Sequence, residues 1–186
     1  GYESDRTRLC IYEFATGKKT YVTESFESGV NEFAWAADNN TLYFSGVWHG
    51  RTNLYQTNLK GEVKQITDDV ADYVLLGVHP DGKQLLTKCH SMSRADEVYF
   101  VNIADGQKTQ LTQENEPFYA QFEFGEVKER WIETTDKKQM HAWVILPPNF
   151  DPTKKYPTLL FCEGGPQSPV SQFWSFRWNF MMMAAN

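Results

Sequence analysis

No run in this sequence approaches the roughly 18 apolar residues that a membrane-crossing helix needs. The nearest candidate, FMMMAA, is far too short, so no membrane span is expected. No cluster of Lys and Arg stands out either: 24 acidic residues face 18 basic ones, for a net charge of -6. Nucleic acid is therefore not expected as a partner. Cysteine is scarce, with Cys10, Cys89 and Cys162 far apart and no CxxC pair. That pattern argues against metal binding and reads as three core thiols, without deciding the redox compartment. His49, His79, His90 and His141 show no HxxxH or HExxH spacing and read as structural. Asp68, Asp69 and Asp72 lack the interleaved glycine of a calcium loop and read as an acidic turn. No metal and no cofactor is expected. No signal-peptide pattern opens the chain.

What is present is aromatic and periodic. Aromatics reach 15% of 186 residues, a content that suits sheet-rich packing. Three segments align with one another: LCIYEFATGKKTYVT, NLYQTNLKGEVKQIT and EVYFVNIADGQKTQLT. Their tyrosines, Tyr12, Tyr55 and Tyr99, stand 43 and 44 residues apart. Gly17, Gly61 and Gly106 keep the same period, as do Thr23, Thr67 and Thr112. Between them FAWAADNNTLYFSG aligns with LLGVHPDGKQLLTK, placing Trp35 opposite Val78 and Asp38 opposite Asp81. Each unit reads as four short strands joined by turns, and the pairs Asn39-Asn40 and Asp81-Gly82 tolerate the positive φ of tight hairpins.

A four-stranded unit of this length has the size of a β-propeller blade. Residues 9–23 supply half a unit, and 30–67 and 74–112 supply two complete ones. Propellers close with about four to eight blades, and fewer leave sheet edges unpaired. The expectation is a partial propeller within a larger protein; a small β-sandwich with accidental periodicity is the alternative.

Phe122 still aligns with Trp35 and Val78, but the register then fails. ERWIETTD and MHAWVILP read as a hairpin across Asp136 and Lys137, PPNFDPTKKYP as a loop, and PTLLFCE as a buried strand. SQFWSFRWNFMMMAAN, with Phe173, Phe176, Trp178, Phe180 and Met181, reads as a helix buried against a sheet. The domains expected are residues 1–124, propeller blades, and 125–186, the start of an α/β-hydrolase domain. In that fold the loop after the third strand supplies a backbone N–H to the oxyanion hole. Glycines suit such a loop, because a backbone without side chains lets the substrate come close.

With YPTLLFCEGGPQSPVSQFW, the lead-in WVILPPNFDPTKKYP and the unit signature HPDGKQLL, the sequence resembles the prolyl oligopeptidase family of serine peptidases. The nearest likeness is to bacterial members of the dipeptidyl-peptidase V and acylaminoacyl-peptidase type. The resemblance implies hydrolysis of short peptides by a Ser-Asp-His triad, without metal or organic cofactor. None of that triad is present: Ser45 in FSGV and Ser168 in PQSPV both lack the elbow glycines of GxSxG. The chain is expected to be a fragment that is inactive alone. Its partners would be a peptide substrate, the remainder of the same polypeptide and, in some members, a second copy as a homodimer. The bacterial relatives imply a periplasmic or secreted location.

The resemblance places Gly164 and Gly165 as oxyanion-loop donors. Glu163 stands where relatives carry His or Tyr, and an ionised carboxylate cannot donate. Two readings stay open: Glu163 points away and leaves the donation to the glycines, or it anchors a substrate's free α-amino group by charge. Trp174 and Arg177 are candidates for the substrate side. The rival from another class is a TolB-type propeller binding module without catalysis.

Overall fold

The computed structural model describes residues 5–162, 164 and 169–186. A first hairpin pairs β1 (Cys10–Glu13) with β2 (Lys18–Tyr21). Two antiparallel meanders of four strands follow. The first is β3 (Val30–Trp35), β4 (Thr41–Trp48), β5 (Arg51–Asn58) and β6 (Val63–Gln65). The second is β7 (Asp72–Val78), β8 (Gln84–Ser91), β9 (Arg94–Asn102) and β10 (Lys108–Gln110). One parallel bridge, Thr52 to Asp72, joins them at β5 and β7. The units expected at 30–67 and 74–112 are thus seen as two successive meanders, and the turn residues behave as their chemistry requires. Asn39 has φ 54° and Gly82 has φ 70°. Asp38 closes its turn by accepting the Asn40 and Thr41 amides, each at 2.9 Å.

Strand β4 shows how the layers stack. Successive side chains of a strand point to opposite faces. Leu42 and Phe44 accordingly pack with Tyr55, Val22, Phe26 and Val30 on the side of the first hairpin. Tyr43 faces the other way and joins Leu54 of β5 with Tyr73, Leu75, Leu85 and Val101 of the second meander. A strand buried on both faces reads as a continuous apolar run, which LYF supplies.

The repeated threonines have one job. The Thr23 hydroxyl accepts the Leu9 amide at 2.9 Å, Thr67 accepts Leu54 at 3.0 Å, and Thr112 accepts Val98 at 2.9 Å. Each ends its unit by satisfying a backbone donor of the tyrosine strand after the pairing strand has stopped. Thr67 in turn donates to Asn53 at 2.7 Å, and Thr112 donates to Glu97.

Several expectations need correction. Phe122 is in no strand: Pro117 and Glu116 open a short helix, α1 (Glu116–Tyr119), after which the chain turns through Phe122. Proline in the first turn suits a helix start and ends the strand pattern. Residues 157–162 form no strand, and Leu159 and Leu160 are 80% and 88% exposed. A strand needs a partner for its amides, and none pairs with this stretch among the described residues. The helix expected from 171 is only α2 (Phe180–Ala185). Ser175 draws the Arg177 and Trp178 amides to its hydroxyl at 3.2 and 3.0 Å, and that local bonding competes with the helix. Only Cys89 is a core thiol; Cys10 and Cys162 are exposed. The hairpin expected around Asp136 and Lys137 forms as β11 (Val127–Glu133) with β12 (Gln139–Ile145), turning at Lys137 with φ 65°.

Candidate functional site

Of the loop residues, Gly164 is exposed, and a Cβ built on it would meet nothing within 4 Å. Glu163, Gly165 and Ser168 lie outside the described residues. Ser45, the other serine weighed, is fully buried and donates to Glu32, so it is no nucleophile. Trp174 is half-buried, edge-on to Tyr119 and to Phe176, and its Nε1 has no partner among the described residues. Arg177 is exposed and lies over the Trp178 ring, 5.2 Å from its centre. Neither Trp174 nor Arg177 bonds Gly164 among the described residues.

The structure instead fixes the arm that follows the loop. Three consecutive residues are held by three different elements. Trp143 of β12 donates its Nε1–H to the Val170 carbonyl at 3.1 Å. The Ser171 hydroxyl donates to Asp72 Oδ2 at 2.6 Å. The Met92 amide, in the turn between β8 and β9, donates to Gln172 Oε1 at 3.4 Å. Gln172 is 1% exposed, and its Nε2 has no partner among the described residues. On the upstream side Phe161 packs against Trp178 and Phe180, at 5.5 and 5.0 Å between ring centres.

Asp72 is the polar centre of this arrangement. It is 5% exposed, and its Oδ1 accepts the Thr52 amide at 2.8 Å where the two meanders meet. His90 Nε2 lies 3.7 Å from the oxygen that Ser171 bonds, while its Nδ1 meets Asp96 at 2.7 Å. Lys88 also pairs with Asp96 at 2.7 Å. Burial works against the charged imidazole, but the bonds to Asp72 and Asp96 outweigh it and raise the His90 pKa above the ordinary 6.5. Ser, Asp and His are thus close together, but the hydroxyl donates to the carboxylate, not to the imidazole. This is a structural tie and not a nucleophile–base pair.

A second contact lies at the β4–β5 turn. His141 and Trp143 of β12 sit so close over Gly50 that a Cβ there would be 2.8 Å from the His141 ring. Glu129 of β11 pairs with Arg51 and accepts from Trp131 Nε1 at 3.2 Å and lies 3.1 Å from His141 Nε2. Burial pushes the Glu129 pKa up, yet Arg51 and His141 hold it below the ordinary value. Burial lowers the His141 pKa. A cavity of about 230 Å³ lies beside this pair, walled by Trp48, His49, Tyr55, Gln65 and Asp68. Among the described residues no group of His, Cys, Asp and Glu is arranged to hold a metal ion, and the three aspartates act singly. Asp69 accepts from Tyr73, and Asp68 lies 3.8 Å from Arg51.

Sequence reasoning missed Asp72, Ser171, Gln172, His90 and Trp143 as a group. Asp72 was in view only as part of an acidic turn. Its partner Ser171 is 99 residues away, a separation that no periodicity reports.

No protein-family model matches the chain. It is 43% identical over 185 residues to a dipeptidyl-peptidase 5 of Porphyromonas gingivalis, covering 99% of this chain and 27% of that protein. It is 41% identical to a dipeptidyl-peptidase 5 of Porphyromonas endodontalis, covering 100% of this chain and 27% of the relative. In fold it is similar to a solved acylaminoacyl peptidase in complex with Z-Gly-Gly-Phe-chloromethyl ketone. That match has a TM-score of 0.78 at 22% identity and covers 97% of this chain and 27% of the other. The chain therefore spans about a quarter of the length of the relatives it matches.

Proposed function

We propose that this chain is part of a serine peptidase of the prolyl oligopeptidase family, one that releases short peptides from a substrate chain. The observation that carries this is the 43% identity to a dipeptidyl-peptidase over 99% of the chain, glycine loop included. In this reading β3–β6 and β7–β10 are two propeller blades and β1–β2 is half of another. Residues 125–186 open the α/β-hydrolase domain. The exposed Leu159 and Leu160, in no strand here, would be covered by the rest of that sheet in the whole protein.

Gly164 and Gly165 present backbone N–H groups to the oxyanion of the tetrahedral intermediate. The serine that forms it, with its Asp and His, lies downstream of Asn186 in the order usual for this fold. The backbone does the donating, because an ionised carboxylate such as that of Glu163 has no proton to give. Trp174 and Arg177 line the approach to it. A peptidase of this class works on small peptides, and its place is periplasmic or secreted.

The test uses the full-length protein with dipeptidyl 4-nitroanilides and a fluorophosphonate probe. Release of the chromophore, abolished by fluorophosphonate labelling of one serine, is the expected result. A folded protein that neither releases nor labels would leave a TolB-type binding module as the better account. Glu163→Gln is expected to leave KM for free-amine substrates unchanged. A rise of about 10-fold, the size expected from losing a charge-assisted bond, would instead make Glu163 the amine anchor.

A further inference from the structure

We propose that Arg94 anchors a carboxylate of the peptide substrate, either the C-terminal one or that of an Asp or Glu side chain. The inference rests on the reading in which Trp174 borders the approach to the oxyanion hole. Arg94 opens β9 just after the turn whose Met92 amide holds Gln172 of the arm. Its guanidinium lies over two rings, 4.7 Å from the centre of Tyr119 and 4.2 Å from that of Phe124. Its Nη1 also donates to the Ser93 carbonyl at 2.9 Å, which holds the group from a third direction. A guanidinium resting on aromatic faces is preorganised, and the donors at its edge remain for the two oxygens of a carboxylate. Tyr119 meets Trp174 edge-on as well, at 6.4 Å between ring centres, so one ring supports both side chains. Arg177, by contrast, rests on a single ring.

Arg94 is exposed, and among the described residues it forms no ion pair, not even with Glu116 of α1. Yet acids outnumber bases in this chain by 24 to 18, and Arg6, Arg8 and Arg51 each take a carboxylate. The acids nearest to it in sequence are engaged elsewhere. Asp96 holds Lys88 and His90, while Glu97 accepts from the Thr112 hydroxyl and from the Asn115 amide at 2.9 Å. A cation fixed in place while its acidic neighbours serve other donors is left open to an anion from outside. Two buried donors of the adjoining arm, Gln172 Nε2 and Trp174 Nε1, also have no partner among the described residues. The junction of turn, α1 and arm is thus rich in donors, which suits the oxygens of a carboxylate and not an ammonium group.

The test is made on the full-length peptidase with one neutral tetrapeptide in three forms: free C-terminal acid, C-terminal amide, and amide with one Glu after the scissile bond. In the natural protein a carboxylate-bearing form should have a KM about 10-fold below that of the neutral amide, the size of a charge-assisted bond. Preference for the free acid assigns the chain terminus as the anchored group, and preference for the Glu amide assigns the side chain. Arg94→Met keeps the stem on its rings but removes the charge. It should abolish the preference with kcat nearly unchanged, the mark of binding that is uniform along the reaction. Arg94→Lys, which keeps the charge without the fork, should retain part of it. Equal KM for the three peptides in the natural protein overturns the inference. So does an Arg94→Met variant whose KM rises alike for all three, since that is a structural effect. Failure to cleave any of them, with no fluorophosphonate labelling, takes down the peptidase reading itself and the inference with it.

Discussion

Thr67 repays attention at the scale of single residues. It is 4% exposed, accepts the Leu54 amide and donates to Asn53. Thr67→Val keeps the volume and removes both bonds, leaving a buried N–H and a buried amide oxygen short of partners. A buried group left unsatisfied costs about 1–3 kcal/mol, so a clear drop in thermal midpoint is expected. Thr67→Ser should lose much less; equal losses for the two variants would show that the methyl, not the hydroxyl, matters. The threonine period was plain in the sequence, whereas its purpose was not. Nothing in Ile-Thr or Leu-Thr says that the hydroxyl takes over from the last ladder bond, because that depends on where the outer strand stops.

Among elements, the glycine turns separate two effects that the sequence merges. Gly82 and Gly106 share the left-handed conformation, at φ 70° and 72°. A Cβ on Gly82 would meet nothing within 4 Å, but one on Gly106 would lie 2.3 Å from the Ile66 carbonyl oxygen of the neighbouring unit. Gly82→Ala should therefore cost only the backbone term, about 1 kcal/mol. Gly106→Ala should cost clearly more, since turn and neighbour must both shift; chemical denaturation of the two variants compares them directly. Equal costs would mean that the units yield easily at their seam. Elements also show where sequence patterns mislead. SQFWSFRWNF has the apolar content of a buried helix, yet Ser175 captures two amides and leaves one short helix at its end.

For the molecule as a whole, the tie between the second meander and the arm after the glycine loop depends on charge. His90 faces Asp72 and Asp96, and Lys88 shares Asp96. Its folded pKa is raised by those carboxylates against the effect of burial. A raised histidine stabilises the fold when protonated, so its contribution is complete below the ordinary value of 6.5 and fades as pH rises through the folded value. Going from pH 6 to pH 8, thermal stability should fall more in the natural protein than in His90→Gln, which cannot titrate. Parallel losses in both proteins would remove His90 from the account.

By itself the sequence determined the strand repeat, its turns, the end of the repeat before the β11–β12 hairpin, and the kinship that its glycine loop implies. All of these follow from local chemistry: alternation sets strand faces, Asn and Gly permit positive φ, and proline stops a ladder. Tertiary structure alone decided which polar residues meet. Asp72 and Ser171 become partners because the seam between two meanders comes against an arm far along the chain, and Gln172 is buried for the same reason. Such pairs are selected by packing in three dimensions, where chain separation leaves no period to read.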